Sequence, residues 1–209
     1  MLPNRRQLAN RCLDFIGYIL PFNPNEYKNK TKIRKLLGYS NEPSIICSIG
    51  GTSAGKDLLD LCKKACPIIK KEFQICKWHW YADRGLSSES IQPVGGITVK
   101  GYVPELYKHL AAADLAIVSG GGTITLELTA LPKPFIYFPL KQHFEQIGAV
   151  AQRCERQKAG FKMDYSKTTP EFLAKQAQNI GKTANYPPIP TDGAKKAAET
   201  ISNILNNKS

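Results

Sequence analysis

An α/β fold on a doubly wound, parallel sheet (a Rossmann-like fold) is what this 209-residue sequence predicts. Three observations carry the expectation. From Ser44 onward, short apolar runs alternate with amphipathic stretches of helical period. The connections between them are short. Two glycine-rich turns, Gly50 to Gly55 and Gly120 to Gly122, each lie between an apolar run and a helical stretch. Strand, turn and helix repeated in this way make crossover units, and crossovers give parallel strands with helices on both faces. Ligands of such sheets sit beyond the carboxyl ends of the strands, which is where both glycine turns fall.

The elements follow in order. Residues 1–43 have weak periodicity and several breakers (Pro3, Pro21, Pro24, Gly38, Pro43) and are not expected to form a domain. Within them Cys12 to Phe22 is apolar but short, interrupted by Asp14, Gly17 and Pro21, and carries no signal-peptide cleavage pattern. It is expected as a strand at a domain boundary. Ser44 to Ile49 reads as a strand. Lys56 to Phe73 reads as an amphipathic helix with Leu58, Leu59, Leu61, Cys62, Ala65 and Ile69 inward, kinked or ended early at Pro67. Strands are expected at Ile75–Tyr81 and Ile97–Tyr102, a short helix at Glu105–Ala112, a strand at Leu115–Ser119 and a helix at Thr123–Leu131. Phe135–Phe138 reads as a strand, about Phe144 to Arg156 as a helix, and Gly160–Met163 as a short strand. Thr169, Pro170 and Glu171 open another helix in the order expected of an N-terminus. Pro187-Pro188 is an extended link, and Asp192 caps a last helix toward Leu205. Residues 44–185 are therefore expected as the sheet domain, and 186–209 as a link and helix packing on that domain or on a missing half.

Composition narrows the classes. No run of about 18 apolar residues is present, so no membrane-spanning helix is predicted. The six cysteines are scattered; Cys62 and Cys66 share a helix face, but no second ligand pair accompanies them, and no metal site is expected. Reduced, buried thiols of a cytosolic protein are the expectation. The formal net charge of +12 gathers at Arg5, Arg6, Arg11, Lys28, Lys30, Lys32, Arg34 and Lys35, with Lys63, Lys64, Lys70 and Lys71 on the first long helix. Such a surface attracts nucleic acid or anionic headgroups, or simply keeps the chain soluble. No nucleic-acid motif accompanies it, Trp78-His79-Trp80-Tyr81 reads as a strand, and no nucleic-acid partner is expected.

The most informative stretch is Gly120-Gly121-Gly122-Thr123, followed by Glu127 and by Pro139 to Gln146. A glycine-only turn lets a ligand approach the backbone, and the helix start beyond it offers N–H groups and the positive end of a dipole to an anion such as phosphate. Glu127 lies one turn on, on the same face as Thr123. Its carboxylate would repel phosphate but accept hydrogen bonds from both hydroxyls of a ribose. A nucleotide-linked ligand is implied. Gly50 to Asp57 nearly matches a phosphate-binding loop, GxxxxGK[ST], between a strand and a helix. Asp57 stands where that loop needs a hydroxyl for magnesium, and no strand ends in an aspartate suited to the second magnesium contact. Lys56 is then a phosphate contact or an ordinary exposed lysine.

The ordered series Gly50-Gly51-Thr52, Gly101 to Leu106, Ala111 to Thr123, Glu127, Leu131 to Pro134, Pro139, Glu145-Gln146 and Ala159-Gly160 resembles the C-terminal, donor-binding half of B-type (GT-B) glycosyltransferases. Within these it looks most like family 28, which includes the enzyme adding N-acetylglucosamine to the lipid-linked peptidoglycan precursor. The resemblance covers about residues 44–165, and residues 12–43 look like the segment crossing from the N-terminal half.

The resemblance implies a UDP-sugar as donor. Tyr102 and Val103 would flank uracil, and Gly121, Gly122 and Thr123 would hold the diphosphate. Glu127 would bind the ribose, and Glu145 and Gln146 the donor sugar. His143 would reach the sugar or the phosphate, or be a surface loop histidine. Gly51 and Thr52 would lie across the cleft mouth. No metal or cofactor is implied. The catalytic base would come from an N-terminal, acceptor-binding half, so the chain is expected as a fragment or a split subunit, cytoplasmic, either free or peripheral on the inner membrane face. A sugar-nucleotide 2-epimerase, a phosphate-loop NTPase and a basic nucleic-acid-binding protein remain as alternatives.

Overall fold

The computed structural model describes residues 13–49, 56–73, 77–81, 97–180 and 184–206. The chain forms two compact units, Pro24–Pro187, and Met1–Asn23 with Pro188–Ser209.

The larger unit is a six-stranded sheet of order β3-β2-β1-β4-β5-β6. Its strands are β1 (Ser44–Ser48), β2 (Lys77–Tyr81), β3 (Ile97–Lys100), β4 (Leu115–Ser119), β5 (Phe135–Phe138) and β6 (Phe161–Lys162). Every pairing is parallel. This is the doubly wound fold, with its reversal of strand order between β1 and β4. Ile45 pairs with Leu115 and Ile46 with Ala116 across that point. β1, β4 and β5 are buried throughout, as central parallel strands covered on both faces must be.

Alternate side chains divide the core. Ile45, Cys47, Leu115, Ile117, Ile136 and Phe138 join Leu58, Cys62, Ala65 and Ile69 of helix α2 (Lys56–Phe73), with Leu173, Ala174 and Ala177 of helix α6 (Pro170–Ile180). Ile46, Ala116, Val118, Phe135 and Tyr137 are buried at the intervening positions. Right-handed crossovers put α3 (Leu106–Ala112), α4 (Gly122–Ala130) and α5 (Ala151–Arg156) over that second face. The expected inward face of α2 is the observed one, with Leu61 only partly buried. The helix does not stop at Pro67 but runs on to Phe73. Burial of Cys66 and Ile69 on either side of the proline offsets the backbone bond it removes. Cys47, Cys62, Cys66 and Cys154 are free, buried thiols.

One expectation for the first 43 residues fails, and one element there was not expected. Residues 13–22 form no strand; Leu13 and Phe15 are exposed, and Gly17 turns the chain at φ 91°. A helix that periodicity did not reveal, α1 (Lys30–Leu37), follows a 3-10 turn at Pro24–Tyr27. Asn29 caps α1 by accepting the Lys32 N–H at 3.0 Å, and it ends at Gly38 in the left-handed region. Arg34 of α1 is buried and donates to Ala112 O (2.9 Å), Ser44 Oγ (3.1 Å) and Asp114 Oδ2 (2.6 Å). Asp114 also accepts the Ser44 N–H at 2.8 Å and pairs with Lys30. Burial opposes ionisation of Asp114, but the bonds from Lys30 and Ser44 and the charges of Lys30 and Arg34 outweigh it. They hold the carboxyl below its usual value. One ion cluster thus ties α1 to the amino ends of β1 and β4.

In the smaller unit Tyr18 donates to Pro190 O (3.0 Å) and accepts from the Gly193 N–H (3.2 Å), at the start of helix α7 (Gly193–Asn206). Asp192 marks that start: its carbonyl accepts the Lys196 N–H (3.1 Å) and its carboxylate pairs with Lys196 Nζ (3.0 Å). Among the described residues no helix is long and apolar enough to cross a membrane.

Candidate functional site

The site starts where β4 ends. Gly120 N–H donates to Phe138 O at 2.9 Å and Gly121 N–H to Ser119 O at 2.8 Å, so the chain turns tightly over the ends of β4 and β5. A Cβ on Gly120 would lie 2.7 Å from Pro139 Cα, backbone against backbone, and only glycine fits. Gly121 is different. It is the N-cap of α4, at φ −65° and ψ 144°, and no side chain caps the helix there. A Cβ on it would meet nothing nearer than Ile124 Cγ2 at 3.7 Å. The first turn of α4, Gly122 and exposed Thr123, therefore presents its backbone and the positive end of its dipole to open space.

One turn on, Glu127 is buried, with 8% of its surface exposed. Burial alone pushes its pKa up to about 7. Among the described residues no cation or hydrogen bond pulls it back, which is unusual for an acid held in a fold. A pair of ligand hydroxyls donating to the carboxylate would supply what the protein does not.

The segment after β5 reaches both sides of the sheet's edge. Glu145 is exposed, and its Oε1 lies 3.0 Å from where a Gly122 Cβ would stand, at the first turn of α4. Gln146 is buried, and its Oε1 accepts the Leu140 N–H at 3.0 Å, pinning the Pro139–Leu140 turn. His143 is exposed, closes that turn by donating its N–H to Leu140 O (3.0 Å), and stacks on Phe144. The helix expected from about Phe144 to Arg156 is present over residues 144–156, with a π-turn, Gln146–Val150, before α5. A wide turn of this kind re-aims the side chains at its start, and such turns recur at functional sites.

Tyr102 and Val103 follow β3, as expected. Tyr102 is 57% exposed, and Val103 is half-buried. Their loop is fixed by Glu105, which adopts φ 52° before α3 and accepts from Tyr107 Oη (2.7 Å) and Lys108 Nζ (2.6 Å). Gly51 and Thr52 lie outside the described residues.

Sequence reading missed Arg153. From α5 its Nη2 donates to Gly122 O (2.8 Å) and Thr125 Oγ1 (2.6 Å), bracing the first turn of α4 from behind. Thr125 Oγ1 in turn donates to Gly121 O at 2.7 Å. No motif marks Arg153; the one signal is a cation among Val150, Ala151 and Cys154, which are buried.

Gly121, Gly122, Thr123, Glu127, Glu145 and Gln146 are thus gathered around one helix start, with His143 on the same loop. The arrangement can hold an anion at the turn and hydroxyls at Glu127. It presents no nucleophile–base pair, and among the described residues no cluster of three or more metal-ligating side chains is present.

Residues 45–205 match the glycosyltransferase family 28 C-terminal domain. The chain is similar to a UDP-N-acetylglucosamine–N-acetylmuramyl-(pentapeptide) pyrophosphoryl-undecaprenol N-acetylglucosamine transferase of Bacillus cereus, 30% identical over 115 residues, which is 54% of this chain and 32% of that protein. The chain thus spans about a third of that relative. Among solved structures it resembles the glycotransferase of kitacinnamycin (TM-score 0.60, 15% identity, covering 86% of this chain and 43% of that one). It also resembles the UDP-GlcNAc 2-epimerase of Methanocaldococcus jannaschii in complex with UDP-GlcNAc and UDP (TM-score 0.58, 14% identity, covering 88% and 51%). At these identities the structural likeness is one of fold. With the sheet order, the glycine turn and the match over 45–205 all in agreement, the chain belongs to glycosyltransferase family 28, whose C-terminal domain it carries.

Proposed function

We propose that this chain is the donor-binding half of a glycosyltransferase that moves a sugar from a UDP-sugar to an acceptor hydroxyl. One observation carries the reading: the uncapped, glycine-opened start of α4, with buried Glu127 one turn beyond it. Gly121, Gly122 and Thr123 hold the diphosphate at the positive end of the helix. Glu127 accepts hydrogen bonds from the ribose hydroxyls, Tyr102 and Val103 flank the uracil, and Glu145 and Gln146 hold the donor sugar. His143 stands at the sugar or phosphate, and Gly51 and Thr52 at the mouth of the cleft.

In the transfer, the acceptor oxygen bonds to the anomeric carbon as the bond from that carbon to the diphosphate breaks. UDP leaves with the electron pair, and the acceptor proton passes to a base. The helix start stabilises the charge that develops on the leaving diphosphate, without a metal. The base belongs to an acceptor-binding N-terminal half, on the same chain or a separate subunit, so this chain alone binds donor but turns over poorly or not at all. Its relatives are transferases named for a pyrophosphoryl-undecaprenol substrate, a lipid, which supports a place for this chain at a membrane, on its cytoplasmic face. The basic N-terminal segment would then face the partner half or anionic lipid.

Calorimetric titration with UDP, a panel of UDP-sugars and ATP, in chelator and again with magnesium, tests the reading. UDP binds and ATP does not, and Glu127→Ala weakens UDP at least tenfold, about 1.4 kcal/mol. ATP binding that requires magnesium and ignores Glu127 would overturn it in favour of a phosphate-loop NTPase.

A further inference from the structure

Arg153 is a cation placed at the unfavourable end of a helix. Its guanidinium lies beside the first turn of α4, where Nη2 donates to Gly122 O (2.8 Å) and Thr125 Oγ1 (2.6 Å). Basic side chains stabilise the carboxyl end of a helix; at the amino end they oppose the positive pole of its dipole. The fold does not neutralise this charge either. Among the described residues no carboxylate pairs with Arg153, and its buried Nε has no hydrogen-bond partner. A half-buried charge left in that state costs stability in the free protein.

Hydrogen bonding alone does not account for a guanidinium here. Thr125 Oγ1 already ties the turn together by donating to Gly121 O at 2.7 Å. A neutral amide could donate to Gly122 O equally well. What a neutral side chain would not supply is charge, and the turn needs it. Glu127 is buried one turn on, and Glu145 Oε1 lies 3.0 Å from where a Gly122 Cβ would stand. Both carboxylates oppose an anion in front of the turn. Arg153 offsets them from the other side, where partial burial leaves its field little screened by salt.

We propose that Arg153 is a positioning residue for the donor diphosphate, acting through Gly122. It holds the first turn of α4 against α5 and sets the local potential so that the turn prefers a diphosphate to a monophosphate. The bound anion supplies the counter-charge that the fold withholds. The inference rests on the donor-half reading only for what carries the diphosphate, a uridine nucleotide.

The test is calorimetry of the full chain with UDP, UMP and inorganic pyrophosphate, in chelator, at about pH 8, where terminal phosphates are ionised. Wild type, Arg153→Gln and Arg153→Lys are compared, with thermal melting of the free proteins alongside. Arg153→Gln keeps a donor for Gly122 O and removes the charge. It is expected to weaken UDP about tenfold and UMP about threefold, because the extra phosphate carries extra charge. The preference for UDP thus narrows, while the melting temperature of the free protein holds or rises. Arg153→Lys keeps the charge but not the planar fork, and retains most of the preference. Equal losses for UDP and UMP in Arg153→Gln would make the residue a brace of the turn and overturn the proposal. So would a lysine variant that loses the preference, which decides the matter even if the glutamine variant does not fold. Pyrophosphate binding that depends on Arg153, without UDP binding, keeps the proposal and overturns the donor-half reading. UDP binding with a UDP-to-UMP ratio unchanged in the variants does the reverse. Silence of the wild type toward all three probes contradicts both.

Discussion

Asp114 and Glu127 are carboxylates drawn inward at opposite ends of the same β4–α4 unit, and their surroundings are opposite. Asp114, just before β4, meets Lys30, Arg34 and the Ser44 N–H, and is held below its usual pKa. Glu127, on α4, meets burial alone and rises to about 7. The amino ends of the strands carry polar groups that satisfy one another and fix the fold. At the carboxyl ends a comparable group has no such partner among the described residues. A buried charge is costly in either place. Where the fold removes that cost the residue is structural, and where it does not, we propose a ligand as the partner.

The largest expected effect lies at the satisfied end. Arg34→Met removes the buried guanidinium's bonds to Ala112 O, Ser44 Oγ and Asp114, leaving that carboxylate to Lys30 and the Ser44 N–H, and costs about 3 kcal/mol of stability, as removing one partner of a buried pair does. Urea denaturation measures it. A loss below about 1 kcal/mol would make the cluster an ordinary surface pair.

Glu127 gives the opposite sign. Its folded pKa stands above its unfolded one, so its contribution is intact below about pH 4.5 and is lost as pH rises through about 7. The shift corresponds to about 3 kcal/mol once both states are ionised. Glu127→Gln removes this decline: between pH 5 and pH 8, in roughly the span over which the carboxyl titrates, the wild type loses stability relative to the variant. Parallel pH–stability curves for the two proteins would show that Glu127 has a partner after all.

A pair of neighbouring glycines separates structure from ligand at closer range. Gly120→Ala drives a Cβ to 2.7 Å from Pro139 Cα and is expected to cost about 1–3 kcal/mol. Gly121→Ala projects its Cβ into open space, so the melting temperature holds while UDP affinity falls. Equal losses of stability in both would mean that the turn is only a turn.

Much of the fold was legible, and the reason differs by element. Leu115–Ser119 and Phe135–Phe138 were read to the residue because central parallel strands are continuous apolar runs between turn residues. The inward face of α2 followed from its period, and of the kink or early end expected at Pro67 the early end does not occur, since tertiary burial outweighed a local preference. α1 escaped because it is short and packs through an arginine, and no periodicity rule expects a buried Arg34. The apolar run before it was read as a strand, yet hydrophobicity did not bury it: Phe15 is 78% exposed.

At the site, the glycines, Glu127 and the Glu145–Gln146 pair were found from order and spacing. Their division of labour was not. That Gly120 serves the turn while Gly121 faces open space, and that Gln146 braces Leu140, depends on packing across the ends of β4 and β5. Arg153 carried no motif; it is distinguished only by what it touches.

The most direct test is the affinity for UDP between pH 6 and pH 8, in chelator, for the wild type and Glu127→Gln. If ribose hydroxyls are the missing partner, binding requires the ionised carboxylate. With a pKa of about 7 the wild-type affinity rises about tenfold over that range relative to the variant. The variant binds more weakly at pH 8 and shows only the pH dependence of UDP itself. Identical pH profiles in the two proteins, or an affinity that Glu127→Gln leaves unchanged, would contradict the assignment of Glu127 to the nucleotide.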